Sequence, residues 1–243
     1  MTDNLGAYER SAEVYDAVYT QMINYPEHAQ KIYRIIDDRV PGAETVLDVA
    51  CGTGQYTQYL ARRFAVTGLD IQPSMLQIAR RRLGDDVPLV EGDMTDFDLG
   101  RRFDAVVCLF SSIAYVHTPE AFRATIANLA KHTVDGGVCI VEPWIEPQAW
   151  EDGRLHMMTV DKDDLKVGRI TSSEPREGHR VLMNWAFAVG RPDGDVETYT
   201  ETHLTGLFTH DEYGEAFEAA GLEATFDPEG LIGRGLWVAV KHT

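Results

Sequence analysis

A glycine-rich turn directly follows the first strongly apolar run of the sequence and could bring the backbone close to a ligand. Residues 45–49 form a β-branched apolar run that predicts a buried strand, and residues 55–63 predict a helix. Between them, Gly52 and Gly54 leave room for a ligand and allow dihedrals that other residues avoid. The helix would aim free N–H groups and its positive dipole end at the bound molecule.

Two further acidic residues stand at the ends of the next two predicted strands. Asp70 ends the run over residues 65–69, where a carboxylate can accept hydrogen bonds from both hydroxyls of a ribose. Asp93 follows the strand predicted over residues 87–91 and could hold an exocyclic amine such as that of adenine. Met94 could then lie against the face of the base. Together these residues predict a site for a nucleoside.

The spacing of the glycines distinguishes two classes of nucleoside ligand. Dinucleotide sites require a third glycine in the pattern Gly-x-Gly-x-x-Gly, and Thr57 occupies that position here. The residues that define this predicted site are Asp48, Gly52, Gly54, Asp70 and Asp93. In this order and spacing they resemble the class I S-adenosylmethionine-dependent methyltransferases. The alternative is an ordinary α/β domain whose strands happen to end in aspartate, and the ordered set disfavours it.

The elements that would position these residues alternate between strand and helix. Residues 72–83 and 119–131 have helical spacing, while residues 103–110 and 138–142 form apolar runs. All-apolar strands are buried on both faces, as in parallel sheets. These elements predict an α/β fold, and the resemblance implies that it is the Rossmann-like class I methyltransferase fold. Its mostly parallel sheet would carry helices on both faces, plus an antiparallel β insertion over the active site.

The chain divides into four parts of one predicted methyltransferase domain, residues 1–243. Helical spacing predicts helices between about residues 8 and 40, and residues 1–40 are assigned, as a hypothesis, to an N-terminal helical lid over the cofactor site. Residues 41–145 are assigned to the cofactor-binding core. Residues 146–206 contain extended runs separated by turn signals, which predict an antiparallel insertion on the substrate side. Residues 207–243 return to a helix and strands that would complete the core.

A capping box marks the start of the last predicted helix. Thr209 would be its N-cap, with Glu212 three residues later as the reciprocal partner. Gly221 would end the helix. The final strands are predicted over residues 222–226 and 236–241.

Composition narrows the range of partners and compartments. The 243 residues include 39 acidic and 22 basic side chains, giving a net charge of −17 that disfavours binding to nucleic acid. No apolar run approaches membrane-spanning length, and residues 1–4 lack the features of a signal peptide. The three cysteines, Cys51, Cys108 and Cys139, lack metal-ligand spacing and favour buried thiols in a reducing cytoplasm. No metal site is predicted.

Motifs outside the cofactor pattern carry a narrower resemblance. They are Asp48–Gly54, Gly92–Met94, Phe110–Ile113, Val141–Trp144, Arg176–Gly178, His203–Leu204, Leu207–Phe208 and Gly233–Leu236. Together they resemble the bacterial aminosugar N,N-dimethyltransferases of the desosamine and mycaminose type, which methylate the 3-amino group of nucleotide-linked deoxysugars. The resemblance covers nearly the whole chain, and the segments with Arg176 and Arg234 distinguish this family from other methyltransferases.

The resemblance implies S-adenosylmethionine as the cofactor and assigns residues to it. Asp70 would bind the ribose, Ile71 would cover the adenine, and Asp93 and Met94 would hold the adenine. The Leu109 carbonyl would take the ammonium of the methionine part. The remaining cofactor-binding residues implied are Tyr15, Tyr25, Ala50, Gly52, Gly54 and Met75. Of these, Ala50 and Gly52 would face the methionine part, and the two tyrosines would belong to the lid.

The acceptor residues are implied in the same way. Tyr8 and Tyr115 are the candidates beside the amine, where they would orient it. The implied substrate-binding residues are Glu142, Trp144, Arg176, Arg180, His203 and Arg234. The arginines could pair with an acceptor diphosphate, since guanidinium groups match phosphate geometry. Arg176 could equally be a solvent-exposed hairpin residue, and His203 could equally be a satisfied histidine of a sheet.

The implied reaction is in-line transfer of a methyl group from a sulfonium to a neutral amine of a small-molecule acceptor. An unhindered neutral amine is a good nucleophile, so positioning matters more than a strong base. One alternative is an O- or C-methyltransferase, for which His117 or His203 could be the base. Another is a cofactor-binding protein without transfer activity. The exposed sheet of the insertion also allows a homodimer.

Overall fold

Two β-sheets organise the protein. The computed structural model describes residues 7–192 and 194–242. In chain order the strands are β1 (Thr45–Val49), β2 (Ala65–Asp70), β3 (Leu89–Glu91), β4 (Phe103–Cys108), β5 (Thr133–Val141), β6 (His156–Asp161), β7 (Lys166–Arg176), β8 (Arg180–Gly190), β9 (Glu197–Gly206), β10 (Leu222–Asp227) and β11 (Leu236–Lys241).

Helices connect the strands of the larger sheet. They are α1 (Ala12–Tyr19), α2 (Tyr25–Arg39), α3 (Thr57–Leu60), α4 (Pro73–Leu83), α5 (Pro119–Lys131) and α6 (His210–Ala219), with 3₁₀ turns at Ser112–Tyr115 and Pro147–Ala149. The predicted capping box of α6 is confirmed: the Thr209 hydroxyl accepts from Glu212 N–H, and the Glu212 carboxylate accepts from Thr209 N–H. No helix among the described residues is long and apolar enough to cross a bilayer.

The larger sheet has the order β10-β11-β5-β4-β1-β2-β3. The pairs β1–β2, β1–β4, β2–β3 and β4–β5 are parallel, whereas β11 is antiparallel to β5 and to β10. This confirms the predicted mostly parallel sheet. Strand order reverses between β1 and β4, and ligands bind outside the carboxyl ends of strands at such a point. The sheet therefore positions the glycine turn after β1 beside the loop after β4.

Two apolar clusters pack on opposite faces of this sheet. One contains Phe122 and Ile126 of α5 with Phe217 of α6. The other contains Ile32 and Ile36 of α2. All five side chains are at most 2% exposed, so the sheet is covered by helices on both faces as predicted.

The second sheet is antiparallel, with strand order β6-β7-β8-β9. Its strands alternate between a buried and an exposed face, which matches a sheet with one face on the core. Val167, Trp185 and Val189 on the buried face pack against Val14 and Val18 of α1. Helix α1 therefore lies between the second sheet and the rest of the chain.

Helix α1 is also tied to the glycine turn. The Asp16 carboxylate accepts from the Thr53 hydroxyl at 2.7 Å and pairs with the Arg82 guanidinium of α4. Arg82 also donates to the Thr53 carbonyl. These contacts fix the N-terminal helix, the turn after β1 and α4 in one network.

The sequence analysis predicted one helix that is too long and missed one strand. Residues 55–63 were predicted to form one helix, but only one turn, α3, is α-helical. After it, backbone hydrogen bonds such as that from Arg62 N–H to the Tyr59 carbonyl span three residues, as in a 3₁₀ turn. Strand β6 was not predicted at all. Only Val160 of its six residues is buried, so the strand lacks an apolar run that would have revealed it.

Candidate functional site

A cavity of about 620 Å³ lies between the carboxyl edge of the larger sheet and the buried face of the second sheet. That volume falls in the range of roughly 300–1,000 Å³ found for small-molecule sites. The larger sheet contributes the loops after β1, β2, β3 and β4, and the second sheet contributes inward side chains of β6 to β9. The cavity thus has one wall suited to a cofactor and another to an acceptor.

The turn after β1 gives the first wall its shape. Ala50, Gly52 and Gly54 all have positive φ, at 57°, 56° and 78°. A Cβ on Gly52 would meet no protein atom within 4 Å, so that position opens onto the cavity. A Cβ on Gly54 would lie 2.9 Å from the Leu83 side chain, so this glycine serves packing against α4 and does not line the cavity.

Asp70 lies at the end of β2 with its carboxylate on the cavity wall. Its oxygens accept hydrogen bonds from Gly52 N–H and Gln72 N–H, each at 2.8 Å. Burial raises the pKa of Asp70 to about 6 even though these backbone donors oppose the shift. A buried carboxylate gains from further donors, and the two vicinal hydroxyls of a ribose are suited to that role.

Asp93 and Met94 follow β3 and also line the cavity, as do Ile71 and Met75. One oxygen of Asp93 accepts from the Thr95 backbone and hydroxyl, at 2.9 and 2.8 Å, which fixes the carboxylate. The other oxygen leaves acceptor capacity for an exocyclic amine. The polar and apolar groups needed for an adenine ring are therefore on one wall.

These residues fit the adenosyl cofactor that the sequence implies. The backbone at Gly52 leaves the space that a side chain would fill, and Ala50 lies beside it with the same left-handed backbone. Asp70 offers acceptors for ribose hydroxyls, while Asp93 and Met94 offer an acceptor and an apolar surface for adenine.

A group of tyrosines from the N-terminal segment and from the turn after β4 also lines the cavity. Tyr8, Tyr15, Tyr19 and Tyr115 line the cavity. The Tyr8 and Tyr115 hydroxyls lie 2.5 Å apart, and the Tyr8 ring packs edge-on against Tyr15 with centroids 5.4 Å apart. Tyr8 has a φ of 61°, a costly backbone conformation for an aromatic residue that concentrates at functional sites. Burial raises the pKa of both Tyr8 and Tyr115, so the hydroxyls stay protonated.

Arg169 of β7 is a cavity residue that the sequence analysis missed. Its side chain is 7% exposed, and no carboxylate of the described residues forms an ion pair with it. The guanidinium donates to the Tyr19 hydroxyl at 2.8 Å, lies 4.4 Å from the Trp185 ring, and leaves its Nε–H without an acceptor in the described chain. A buried cation without a counter-ion is costly, so this geometry favours an anionic ligand.

Trp144 and Arg234 lie near the cavity opening. Both line the cavity, and Arg234 Nη1 donates to the Ser111 hydroxyl at 3.1 Å. Glu142 lies behind them, fully buried, where one oxygen accepts from Phe110 N–H at 2.6 Å. Burial raises the pKa of Glu142 to about 7. Glu142 therefore fixes the backbone after β4 and does not line the cavity itself.

His203 lies one contact behind the cavity wall. Its side chain is fully buried, its Nδ1 is 3.0 Å from the Tyr115 hydroxyl, and its ring stacks on Trp185 at 3.7 Å. It touches residues of the cavity wall but does not line the cavity itself, although the sequence analysis placed it among the acceptor contacts. The Trp185 ring at 3.7 Å and the Tyr8 ring at 4.8 Å lie between His203 and the cavity.

Four other predicted site residues do not line the cavity. Tyr25 packs edge-on against Tyr56, with ring centroids 4.9 Å apart. The Leu109 side chain belongs to the core, its carbonyl accepts from Ser112 N–H at 3.2 Å, and the cavity wall there starts at Phe110. Arg176 pairs with Glu174, and Arg180 donates to the Glu177 carbonyl, at the β7–β8 hairpin.

The pairing of β7 with β8 explains why Arg169 lines the cavity and the two hairpin arginines do not. Arg176 and Arg180 face each other as the last pair of the β7–β8 hairpin. Arg169 alternates with the exposed Ile170 and lies opposite Phe187 on the buried face. Strict alternation from the buried Val167 would have placed Arg169 inward, which is the one sequence signal that could have found it.

Comparisons with known proteins agree on one family. A family model described as a methyltransferase domain matches residues 46–137. The dTDP-3-amino-3,4,6-trideoxy-alpha-D-glucopyranose N,N-dimethyltransferase of Streptomyces venezuelae is 41% identical over 94% of this chain and 97% of its own length. The dTDP-4-amino-2,3,4,6-tetradeoxy-D-glucose N,N-dimethyltransferase of Saccharopolyspora spinosa is 35% identical over 95% of this chain and 92% of its own.

A solved structure extends this similarity to the fold. The amino pentose methyltransferase CalS10 of Micromonospora echinaspora, involved in calicheamicin biosynthesis, was solved with S-adenosylmethionine bound. It superposes with a TM-score of 0.84 and is 37% identical, covering 94% of this chain and 96% of the other. Because the similarity extends over nearly the full length of both chains, the aligned region includes the second sheet.

The two glycines of the turn provide a matched pair of variants. In Gly52→Ala the new methyl group points into the cavity, so we expect S-adenosylmethionine to bind on the order of tenfold more weakly or worse. The φ of 56° also strains an alanine there, at a cost of roughly 1–2 kcal/mol of stability. In Gly54→Ala the methyl group overlaps Leu83, so we expect a lower melting temperature. Calorimetric titration and thermal unfolding check both. Equal cofactor affinity in Gly52→Ala and wild type would contradict this placement of the cofactor.

Proposed function

The chain belongs to the S-adenosylmethionine-dependent methyltransferases and to their aminosugar N,N-dimethyltransferase family, and we propose that it dimethylates the amine of a nucleotide-linked deoxysugar in the cytoplasm. The family, the fold and the cofactor agree with the motifs of the sequence. The proposal for the acceptor is supported by relatives whose names specify dTDP-linked aminosugars carrying the amine on carbon 3 or carbon 4. It therefore leaves the position of the amine to experiment.

One observation carries the proposal: a buried, unpaired guanidinium and a pair of tyrosine hydroxyls line the same cavity. Arg169 offers a cation without a carboxylate partner among the described residues, which suits an acceptor that carries phosphate. The hydroxyls of Tyr8 and Tyr115 offer acceptor oxygens for an amine N–H. A nucleotide-linked aminosugar contains both complementary groups.

The cofactor half of the site would be held by the residues after β1, β2 and β3. We assign the ribose to Asp70, the adenine to Asp93, Met94 and Ile71, and the methionine part to the open backbone at Gly52. When bound, S-adenosylmethionine supplies an electrophilic methyl group on a sulfonium. The protein's contribution is to hold both partners and to exclude water, because the transfer needs an in-line approach at about 3 Å.

Two groups of side chains would hold the acceptor molecule, one at its diphosphate and one at its amine. Arg169, with Arg234 at the opening, would bind the diphosphate, and Tyr8 and Tyr115 would orient the amine. Trp144 and Trp150, whose rings lie 5.3 Å apart, supply aromatic surface next to the opening. Binding the diphosphate and the amine through different side chains would fix the orientation of the acceptor and direct the lone pair of the amine towards the cofactor.

We also propose that two copies of the chain pair through the exposed face of the second sheet. Although 25% of the chain is charged, this face carries no charged residue across its central rows. The rows contain Met157, Thr159, Gly168, Ile170, Ser172, Asn184, Ala186, Ala188, Thr198, Thr200 and Thr202. Self-complementary pairing of such a face is the isologous arrangement of a two-fold dimer.

Sedimentation velocity tests this pairing. We expect a dimer for wild type and a monomer for Ala186→Glu, because two like charges would meet near the two-fold axis. Gln30→Glu, on an exposed position of α2, is the matched control and should remain a dimer. A wild-type monomer at micromolar concentration, or a dimeric Ala186→Glu, would contradict the proposed interface.

The function itself is tested by mass spectrometry with S-adenosylmethionine and a panel of dTDP-linked 3-amino- and 4-amino-deoxysugars. We expect a gain of two methyl masses on one amine, and the responsive sugar identifies the acceptor. A single gain would retain the reaction class but contradict dimethylation. Transfer only to amine-free acceptors would replace the proposal with O- or C-methylation. Cofactor binding with no transfer to any acceptor would favour a non-catalytic protein.

A further inference from the structure

A series of polar side chains leads from the cavity wall into the second sheet. The Tyr8 hydroxyl is 2.5 Å from the Tyr115 hydroxyl, and the Tyr115 hydroxyl is 3.0 Å from His203 Nδ1. On the far side of the ring, His203 Nε2 is 3.6 Å from a Glu201 carboxylate oxygen. Tyr8 and Tyr115 line the cavity, while His203 is 0% and Glu201 is 7% exposed. The series therefore starts at the cavity wall and ends inside the protein.

Glu201 fixes the direction of these hydrogen bonds. Its carboxylate accepts from Arg10 N–H and Ser11 N–H, each at 2.9 Å, and from the Ser11 hydroxyl at 2.6 Å. Burial opposes ionisation, but the nearby His203 ring and the hydrogen bonds from Ser11 and Arg10 outweigh it and lower the pKa of Glu201. His203 Nε2 has no hydrogen-bond partner among the described residues, and the ionised Glu201 carboxylate 3.6 Å away favours a proton on this nitrogen, which leaves Nδ1 as an acceptor.

The rest of the orientation follows from this tautomer. With Nδ1 of His203 as an acceptor, the Tyr115 hydroxyl donates to it, and the Tyr115 oxygen is then free to accept from Tyr8. Each O–H points away from the cavity, and the Tyr8 oxygen keeps a lone pair for a donor in the cavity. An ammonium group of a bound acceptor is such a donor.

The environment of His203 favours a neutral ring that can take up a proton. Burial lowers the pKa of His203, and the cationic Arg169 acts in the same direction, whereas Glu201 opposes both. The charged and titratable groups that face the ring are Glu201 from its own strand, Arg169 from β7, Tyr115 from the turn after β4, and Tyr8 before α1. A proton arriving on Nδ1 would form an imidazolium beside the Glu201 carboxylate.

We propose that His203, through the two tyrosine hydroxyls, takes up the proton that the acceptor ammonium loses before methyl transfer. The inference rests on the proposed function, since it requires an amine acceptor. Amines of sugars and related molecules are largely protonated at neutral pH, and an ammonium has no lone pair for attack. After the first transfer the product is again an ammonium, so a second transfer needs a second deprotonation.

The proton transfer balances along the series. The ammonium N–H bond breaks and its proton moves to the Tyr8 oxygen, while Tyr8 passes its own proton to Tyr115 and Tyr115 passes its own to His203 Nδ1. The amine keeps the electron pair of the broken bond and uses it to form the bond to the methyl carbon as the carbon–sulfur bond breaks. After the product leaves, His203 Nδ1 returns its proton to Tyr115, Tyr115 passes its own to Tyr8, and Tyr8 passes its own to water in the cavity. Glu201 stabilises the imidazolium in the meantime.

Two variants remove the proton acceptor and its partner. We expect His203→Gln and Glu201→Gln to lower kcat at pH 7 by roughly 10- to 100-fold. This is at the lower end of the contribution of about 10²–10⁴ that acid–base groups typically make, or below it. The loss should shrink to within about threefold near pH 10, where the amine enters the cavity already neutral. The affinity for S-adenosylmethionine should not change. Tyr199→Phe, on the same face of β9 two residues from Glu201, is the matched control and should retain wild-type kcat.

Separate outcomes overturn the relay and the proposed function. An equal loss of kcat at every pH would show that His203 only supports Tyr115, and no loss at pH 7 would show that the proton leaves directly to water. Either result contradicts the relay while the wild-type enzyme still methylates an aminosugar. If the wild-type enzyme methylates no amine, the proposed function fails first.

The tautomer of His203 gives a readout that needs no turnover. Long-range ¹H–¹⁵N spectra of protein labelled at histidine, assigned with the His203→Gln variant, distinguish the two neutral tautomers. We expect a neutral ring with the proton on Nε2 at pH 7. A proton on Nδ1 would reverse the direction of the Tyr115 hydrogen bond and overturn the proposal.

Discussion

The second sheet covers the carboxyl edge of the parallel sheet, and this burial determines the chemistry between them. The carboxylates at that edge lose water, which raises the pKa of Asp70 to about 6 and that of Glu142 to about 7. On the opposing wall, Arg169 loses water without gaining a carboxylate among the described residues. Polar groups buried in this way are costly unless a partner satisfies them. A ligand that brings hydroxyls to one wall and negative charge to the other would provide those partners.

The same burial explains why the N-terminal helix matters for the site. Helix α1 contacts the glycine turn through Asp16 and the second sheet through Val14 and Val18. It thereby fixes the distance between the cofactor wall and the acceptor wall. Tyr8, in a left-handed conformation just before this helix, belongs to the same unit. The alignment of an amine with a methyl group thus depends on packing between three parts of the chain that are distant in sequence.

Most of the residues that the sequence assigned to the cofactor line the cavity, whereas only half of those assigned to the acceptor do. Asp70, Asp93 and the glycines follow local rules, since a strand end and a turn are set by neighbouring residues. Arg169 depends on the pairing of β7 with its neighbours, and a one-residue change of register would turn it outward. Arg176 looked equally suitable as a phosphate contact, but it lies at the hairpin beside Glu174. The role of a charged residue in a sheet is decided by tertiary pairing that its own segment does not encode.

The central claim is that the second wall is an anion site built around Arg169, and its affinity for thymidine diphosphate tests this directly. Titration calorimetry should show roughly 10- to 100-fold weaker binding to Arg169→Gln than to wild type, the loss expected for a charged hydrogen-bonded pair. Arg180→Gln, at the hairpin, should bind as wild type does. Both variants should bind S-adenosylhomocysteine normally. Equal affinity for the diphosphate in wild type and Arg169→Gln would contradict the account.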